Sequence, residues 1–158
     1  NRVGMMVDLS HAAESSFWDA LKLSRVPIVC SHSSCRALCD HPRNLTDEQM
    51  HALAEAGGVM QITFYNGFLR TDGKASIEDA ARHINHAVSV MGIEHVGIGT
   101  DFDGDGGVPG IANASELLNL TRLLRQLGYS TEQLRLLWGE NLLRAPSTSR
   151  GQGVSDKD

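Results

Sequence analysis

Three short apolar runs of the sequence are each followed, within four residues, by a side chain that could bind a metal or move a proton. His11 follows the first run, His32 the second and Asp101 the third. Imidazole and carboxylate groups are ligands for zinc, and a carboxylate beside a bound metal can act as general acid or base. The pattern therefore predicts hydrolysis by a metal-activated water at a site built from these three residues.

The elements that must position these residues alternate between strands and helices. Four apolar, β-branched runs predict strands over residues 3–7, 27–30, 58–64 and 96–98. Amphipathic periodicity predicts helices over residues 12–23, 46–56, 76–91, 115–127 and 131–144. This order is typical of an α/β fold with a parallel sheet covered by helices, in which the carboxyl ends of the strands converge on one pocket. Four strands fit either a small open sheet or half of an eight-stranded barrel.

Other patterns in the sequence have competing interpretations. Residues 101–106 (DFDGDG) match the first half of a calcium loop, but Ala112 stands where that loop needs a bidentate carboxylate, so a glycine turn with solvated Asp103 and Asp105 is favoured. A thiolate and imidazole cluster resembles a structural zinc site, yet its cysteine spacing favours small buried thiols. The members of this cluster are His32, Cys35, Cys39 and His41.

Two further positions are open on spacing alone. His83 and His86 lie three residues apart on a predicted helix and could reach one ion, but we expect both on its solvent face. Arg43 is either a surface charge or a planar fork for a substrate carboxylate.

Composition narrows the classes of partner. The 158 residues carry 14 Lys+Arg against 19 Asp+Glu, for a formal net charge of −5, without the basic cluster that nucleic-acid binding requires. No apolar run approaches the roughly 18 residues needed to span a bilayer. The chain begins with Asn1 and enters an apolar run at once, which predicts a piece of a longer protein.

Five ordered motifs resemble those of the renal or membrane dipeptidase family of zinc peptidases. They are residues 8–11 (DLSH), 31–34 (SHSS), 41–45 (HPRNL), 99–104 (GTDFDG) and 140–144 (ENLLR). The resemblance covers about residues 1–146. A weaker likeness extends to residues 64–68 (FYNGF), where Tyr65 and Asn66 would edge the pocket.

The resemblance implies a fold, a cofactor and residue roles. The family fold is a (β/α)8 barrel, so residues 1–146 would be its carboxyl-terminal half, with about four parallel strands, followed by a disordered tail over residues 147–158. The family hydrolyses dipeptides at a pair of zinc ions bridged by a carboxylate and a water or hydroxide. By this resemblance His11 and His32 would bind the second zinc, Arg43 would hold the substrate carboxylate, and Asp101 would handle a proton or the substrate amine.

This chain departs from the family pattern in its ligand set. The His-x-Asp pair of the first zinc, the bridging Glu and a later substrate-contacting His have no counterpart here. We therefore expect weak or no activity from this chain alone. Alternatives are another metal-dependent amidohydrolase of barrel fold and a catalytically inert module. Unpaired sheet edges would favour association, so a homodimer of two half-barrels is one alternative. The simpler interpretation is that the chain is a truncated piece of a full-length dipeptidase.

Overall fold

The computed structural model describes residues 5–150 and shows three parallel strands covered by helices. The strands are β1 (Val29–Ser33), β2 (Val59–Ile62) and β3 (Val96–Ile98), and they lie in that order in one sheet. Parallel neighbours need a crossover connection. Helix α2 (Asp47–Glu55) connects β1 to β2, and helix α4 (Ile77–Met91) connects β2 to β3. The predicted α/β class is confirmed, while the sheet formed by the described residues has three strands rather than four.

The strand predicted over residues 3–7 is wrong for its described part. Residues 1–4 lie outside the described residues, and residues 5–7 form no regular strand. Pairing begins only at Val7, whose carbonyl accepts from the Val29 N–H at 3.0 Å, and ends at Leu9, whose N–H donates to the Val29 carbonyl at 2.8 Å. Met5, the first described residue of this apolar run, is 70% exposed. Residues 7–9 thus run beside β1 and are joined to Val29 by these two backbone hydrogen bonds.

The remaining helices, apart from α3, follow the predictions with shifts at their ends. They are α1 (Glu14–Leu23), α3 (Asn66–Leu69), α5 (Leu117–Gln126), α6 (Thr131–Arg135) and α7 (Asn141–Arg150). The short helix α3 was not predicted, and the segment predicted as one helix over residues 131–144 is broken by a π-helical turn at Leu136–Glu140, inside which Gly139 leaves helical geometry. Residues 147–150, assigned above to a disordered tail, continue α7. Residues 151–158 of that tail lie outside the described residues.

Capping residues fix where the helices begin. The Thr46 hydroxyl accepts from the Gln49 N–H at 3.1 Å, and the Gln49 side chain accepts from the Thr46 N–H at 2.9 Å. This reciprocal pair is the capping box that the sequence predicts before α2. Helix α4 ends at Gly92, whose φ of 83° favours glycine.

The core lies between the sheet and the helices that cover it. Its largest fully buried side chains are Ile28, Met50, Leu53, Met60, Ile62, Phe64, Leu69, Ile84, Ile111, Leu120, Leu124 and Leu137. They come from β2, from residues next to β1 and β2, from helices α2 to α5 and from the segments that hold Ile111 and Leu137, so the helices and the strands share one apolar interior. Within residues 5–150, no helix is long and apolar enough to cross a membrane.

Candidate active site

His11 and His32 meet at the carboxyl ends of neighbouring parallel segments. Their Nε2 atoms are 2.8 Å apart, and their ring centroids are separated by 4.9 Å. His32 lies within β1, and His11 follows the paired residues 7–9. Adjacent parallel segments end at the same edge, which brings together two residues separated by 21 positions in the sequence.

Three polar residues position His32 through its backbone N–H and its Nδ1 atom, on the other side of the ring from Nε2. The Ser10 hydroxyl accepts from the His32 N–H at 2.9 Å, and the Ser31 hydroxyl lies 2.8 Å from His32 Nδ1. The Asp8 carboxylate in turn accepts from the Ser31 hydroxyl at 2.5 Å and from the Ser31 N–H at 3.0 Å. Asp8, Ser10 and Ser31 had no predicted role, although their position inside the two histidine motifs was a usable signal.

Asp8 is an ionised acceptor in this arrangement. Partial burial by itself raises the pKa of the Asp8 carboxyl, but hydrogen bonds from the Ser31 side chain and from the N–H groups of Ser10 and Ser31 outweigh that effect and lower it overall. The charged form therefore prevails at neutral pH.

Arg43 lies against both the histidine pair and an aromatic ring. Its Nη2 donates to the His32 carbonyl oxygen at 3.4 Å, and its guanidinium carbon lies 5.3 Å from the centre of the Phe68 ring. Tyr65 and His41 pack against the same ring, with centroid distances of 4.6 Å and 4.5 Å. The partly buried guanidinium is thus held over an aromatic platform that the sequence analysis did not identify.

Asp101 lies in a tight turn after β3. Its φ of 59° is left-handed, and its carbonyl oxygen accepts from the N–H groups of Gly104 and Gly106 at 2.9 Å and 2.7 Å. A Cβ at Gly106 would overlap the Asp101 backbone, so glycine is required there. Asp103 and Asp105 are exposed, as predicted for a glycine turn.

Charges at this edge of the sheet act on His11. The positive charge of Arg43 is the largest influence and lowers the pKa of His11, while the Asp101 carboxylate opposes it. A neutral imidazole is the form that binds a metal. Arg43 and Asp101 are thus both within electrostatic reach of His11, and the four predicted site residues lie in one region.

Backbone strain coincides with two of these residues. Within residues 5–150, positive φ at a non-glycine residue occurs at His11, Asp101 and Asp105, with φ of 71°, 59° and 64°. Such conformations cost free energy and cluster at functional sites. Two of the three are residues that the sequence selects for their chemistry.

The imidazole pair fits a zinc ion in its donor chemistry. Two nitrogen ligands of a tetrahedral zinc lie about 3.3 Å apart, given a Zn–N distance near 2.05 Å. The observed 2.8 Å between the Nε2 atoms would need to open by only about half an ångström. Within residues 5–150, no three His, Cys, Asp or Glu side chains form a cluster that could hold a metal ion.

The other cysteine and histidine patterns have structural partners. The Cys35 thiol donates to the His83 carbonyl oxygen and the Cys39 thiol to the Gly67 carbonyl oxygen, each at 3.4 Å. Burial raises the pKa of Cys35 to about 12, so it stays a thiol. His41 Nδ1 accepts from the Arg43 N–H at 3.1 Å. These contacts direct Cys35, Cys39 and His41 to separate partners, in agreement with the prediction of small buried thiols.

Two smaller expectations meet different outcomes. The prediction that His83 faces solvent is wrong, because the residue is 1% exposed and its ring nitrogens contact the backbone of Cys35 and Leu69. His86 is partly buried, and its Nε2 lies 2.8 Å from the Asp47 carboxylate. Asn66, predicted to edge the pocket, uses its side-chain oxygen to accept from the Ala75 N–H at 3.0 Å.

Comparisons with known proteins point to one family. The family model described as membrane dipeptidase (peptidase family M19) matches residues 1–151. An uncharacterised dipeptidase of Schizosaccharomyces pombe is 43% identical over 148 residues, which are 91% of this chain and 36% of that protein.

Solved structures agree with this result. A metallopeptidase described as dipeptidase AC of family M19 superposes with a TM-score of 0.90 at 37% identity, over 96% of this chain and 44% of its own. A metallopeptidase from Rhodobacter sphaeroides, liganded with a phosphinate mimic of the dipeptide L-Ala-D-Ala, gives 0.87 at 37% identity, over 92% of this chain and 43% of its own. The chain thus spans less than half the length of these three proteins.

Proposed function

Because the chain belongs to the membrane dipeptidase family, peptidase family M19, we propose that its site hydrolyses dipeptides with the help of zinc. The observation that carries the proposal is the convergence of the His11 and His32 Nε2 atoms, 2.8 Å apart, beside Arg43. Two imidazoles fill two of the four positions of a tetrahedral zinc. They form, in this proposal, the second-zinc half of a two-zinc site whose other ligands have no counterpart among the residues of this chain.

The chain's own residues supply binding and proton transfer. A divalent metal, when bound, makes a water nucleophilic near neutral pH and polarises the scissile carbonyl. Arg43 binds the free carboxylate of the dipeptide through its planar guanidinium. Asp101, whose carboxylate acts on the pKa of His11, donates a proton to the departing nitrogen, or holds the substrate's ammonium group.

The substrate class follows from Arg43 and from a relative. A guanidinium held by Phe68 and the His32 carbonyl presents a fixed cation to one end of a small substrate. The Rhodobacter sphaeroides protein holds a mimic of L-Ala-D-Ala. We propose dipeptides with a free carboxyl end as substrates.

A zinc titration tests the metal site. His11→Ala and His32→Ala should each weaken zinc binding by more than about 100-fold, because each removes one of two protein ligands. His51→Ala is the matched control, since His51 is exposed on α2. Zinc affinity unchanged in both site variants would overturn the assignment.

An activity assay separates dipeptidase from its alternatives. Zinc-dependent release of amino acids from dipeptides, but not from carboxyl-amidated dipeptides, supports the proposal. Equal hydrolysis of the amidated compounds would favour another metal-dependent amidohydrolase, a description that one similar protein from Pseudomonas aeruginosa carries. Zinc binding without hydrolysis would favour an inert module.

A further inference from the structure

We propose that Ser31 and Asp8 are positioning residues that hold His32 as the tautomer protonated on Nδ1, which leaves its Nε2 atom, beside His11, with the lone pair that a metal would need. The part of this inference that concerns metal rests on the proposed function. The part that concerns the tautomer is a property of the metal-free protein. It follows from the number of hydrogen atoms that each group can donate.

The Ser31 hydroxyl has one hydrogen and two polar neighbours. Its oxygen lies 2.5 Å from Asp8 Oδ2 and 2.8 Å from His32 Nδ1. An ionised carboxylate only accepts hydrogen bonds, so the Ser31 hydrogen must go to Asp8. Toward His32 the hydroxyl can then only accept, and His32 must donate from Nδ1.

Asp8 fixes Ser31 through its backbone as well as its side chain. Asp8 Oδ1 accepts from the Ser31 N–H at 3.0 Å and from the Ser10 N–H at 3.0 Å. With both oxygens engaged, the carboxylate ties the segment before α1 to β1 and sets the direction of the serine hydroxyl. The Ser10 hydroxyl completes the arrangement by accepting from the His32 N–H.

The two histidines therefore start from different states. A neutral His32 protonated on Nδ1 has an unprotonated Nε2, so the 2.8 Å contact requires His11 to donate its Nε2 hydrogen to His32. His32 is already in the form that a metal needs. To offer its Nε2 lone pair to a metal, His11 would first have to shift that proton to Nδ1, whereas His32 would need no such change.

The tautomer can be measured directly in the metal-free protein. Long-range proton–nitrogen correlation spectra of the imidazole rings distinguish protonation at Nδ1 from protonation at Nε2. We expect His32 to be protonated on Nδ1 in the wild type and in Ser31→Thr, which keeps the hydroxyl. In Ser31→Ala the Nδ1–H population should fall, while Ser89→Ala, an exposed serine on α4, should leave it unchanged.

Zinc affinity provides the second readout. Ser31→Ala should weaken binding by about 10-fold to 100-fold, with recovery in Ser31→Thr, as for other residues that orient a metal-binding histidine. An Nε2-protonated His32 in the wild type, or an unaltered tautomer in Ser31→Ala, would overturn the inference. If the tautomer behaves as expected but His32→Ala binds zinc normally, the positioning role stands and the proposed function fails.

Discussion

Two histidines of this chain, His32 and His83, have opposite environments and teach how tertiary contacts decide a histidine's role. His32 is partly buried, and its Nε2 faces another imidazole at the edge of the sheet. His83 is 1% exposed: its Nδ1 accepts from the Cys35 N–H at 3.1 Å, and its Nε2 donates to the Leu69 carbonyl oxygen at 3.1 Å. The backbone thus uses both nitrogens of His83, while one nitrogen of His32 is available for chemistry.

The charge state of His83 follows from its burial. Burial lowers the pKa of His83 to about 4, so it remains neutral as a fixed part of the core. A proton on its Nδ1 would point at the Cys35 N–H, which itself donates. Changes at His83 should therefore act on stability, and changes at the site should act on ligand binding.

The largest expected effect is the loss of stability in His83→Ala. This change leaves the Cys35 N–H and the Leu69 carbonyl buried without partners and opens a cavity, so we expect the free energy of unfolding to fall by about 3 kcal/mol. His11→Ala, at an exposed position, should change it by less than about 0.5 kcal/mol. Urea unfolding of both variants measures this difference. Equal losses of unfolding free energy would contradict the assignment of His83 to stability and His11 to the site.

The pH dependence of stability should be of nearly the same size. His83 takes up a proton near pH 6.5 in the unfolded chain but only near 4 when folded, so the unfolded state binds more protons between these values. The contribution to stability is therefore complete above pH 6.5 and is lost as the pH falls toward 4, by about 3 kcal/mol in total.

His83→Gln isolates this contribution, because an amide can accept from Cys35 and donate to Leu69 without titrating. The difference in unfolding free energy between wild type and variant should shrink as the pH falls from 6.5 to 4. His51→Gln is the control at an exposed histidine. Parallel pH curves for the wild type and His83→Gln would contradict the buried neutral state.

Arg43→Ala should show the complementary behaviour at the site. Loss of a charged hydrogen-bonding partner should raise the KM for dipeptides about 30-fold, near 2 kcal/mol, in any zinc-dependent assay that the chain supports. Arg43→Lys should recover only part of the loss, because an ammonium group lacks the planar fork. Unchanged discrimination against carboxyl-amidated dipeptides would refute the role of Arg43.

The smallest expected effect concerns the platform under Arg43. Phe68→Leu keeps an apolar contact but removes the aromatic face, which is worth about 0.5–1 kcal/mol at partly exposed sites. We expect a rise in KM of about 2-fold to 5-fold with little change in unfolding free energy. A larger loss of unfolding free energy than of binding free energy would show that Phe68, like His83, serves stability and not substrate binding.

Much of the architecture was predictable because it depends on local pattern. The spans of β3 and the reciprocal cap at Thr46 are encoded in adjacent residues, and both appear where the sequence predicts them. The strand predicted over residues 3–7 is wrong for residues 5–7, because strand formation depends on a partner and, among residues 5–9, backbone pairing with β1 begins only at Val7. The break at Gly139, where φ is 156°, is a backbone conformation that hydrophobic periodicity does not report.

The sequence by itself determined which side chains could do chemistry and on which strand ends they would lie, since residue type and alternation of elements are local properties. Only the tertiary structure decided what each histidine nitrogen contacts. His83 meets Cys35 across 48 positions of sequence, and His32 meets His11 across 21. The physical reason is that a hydrogen bond depends on distance and direction between groups, and folding sets both.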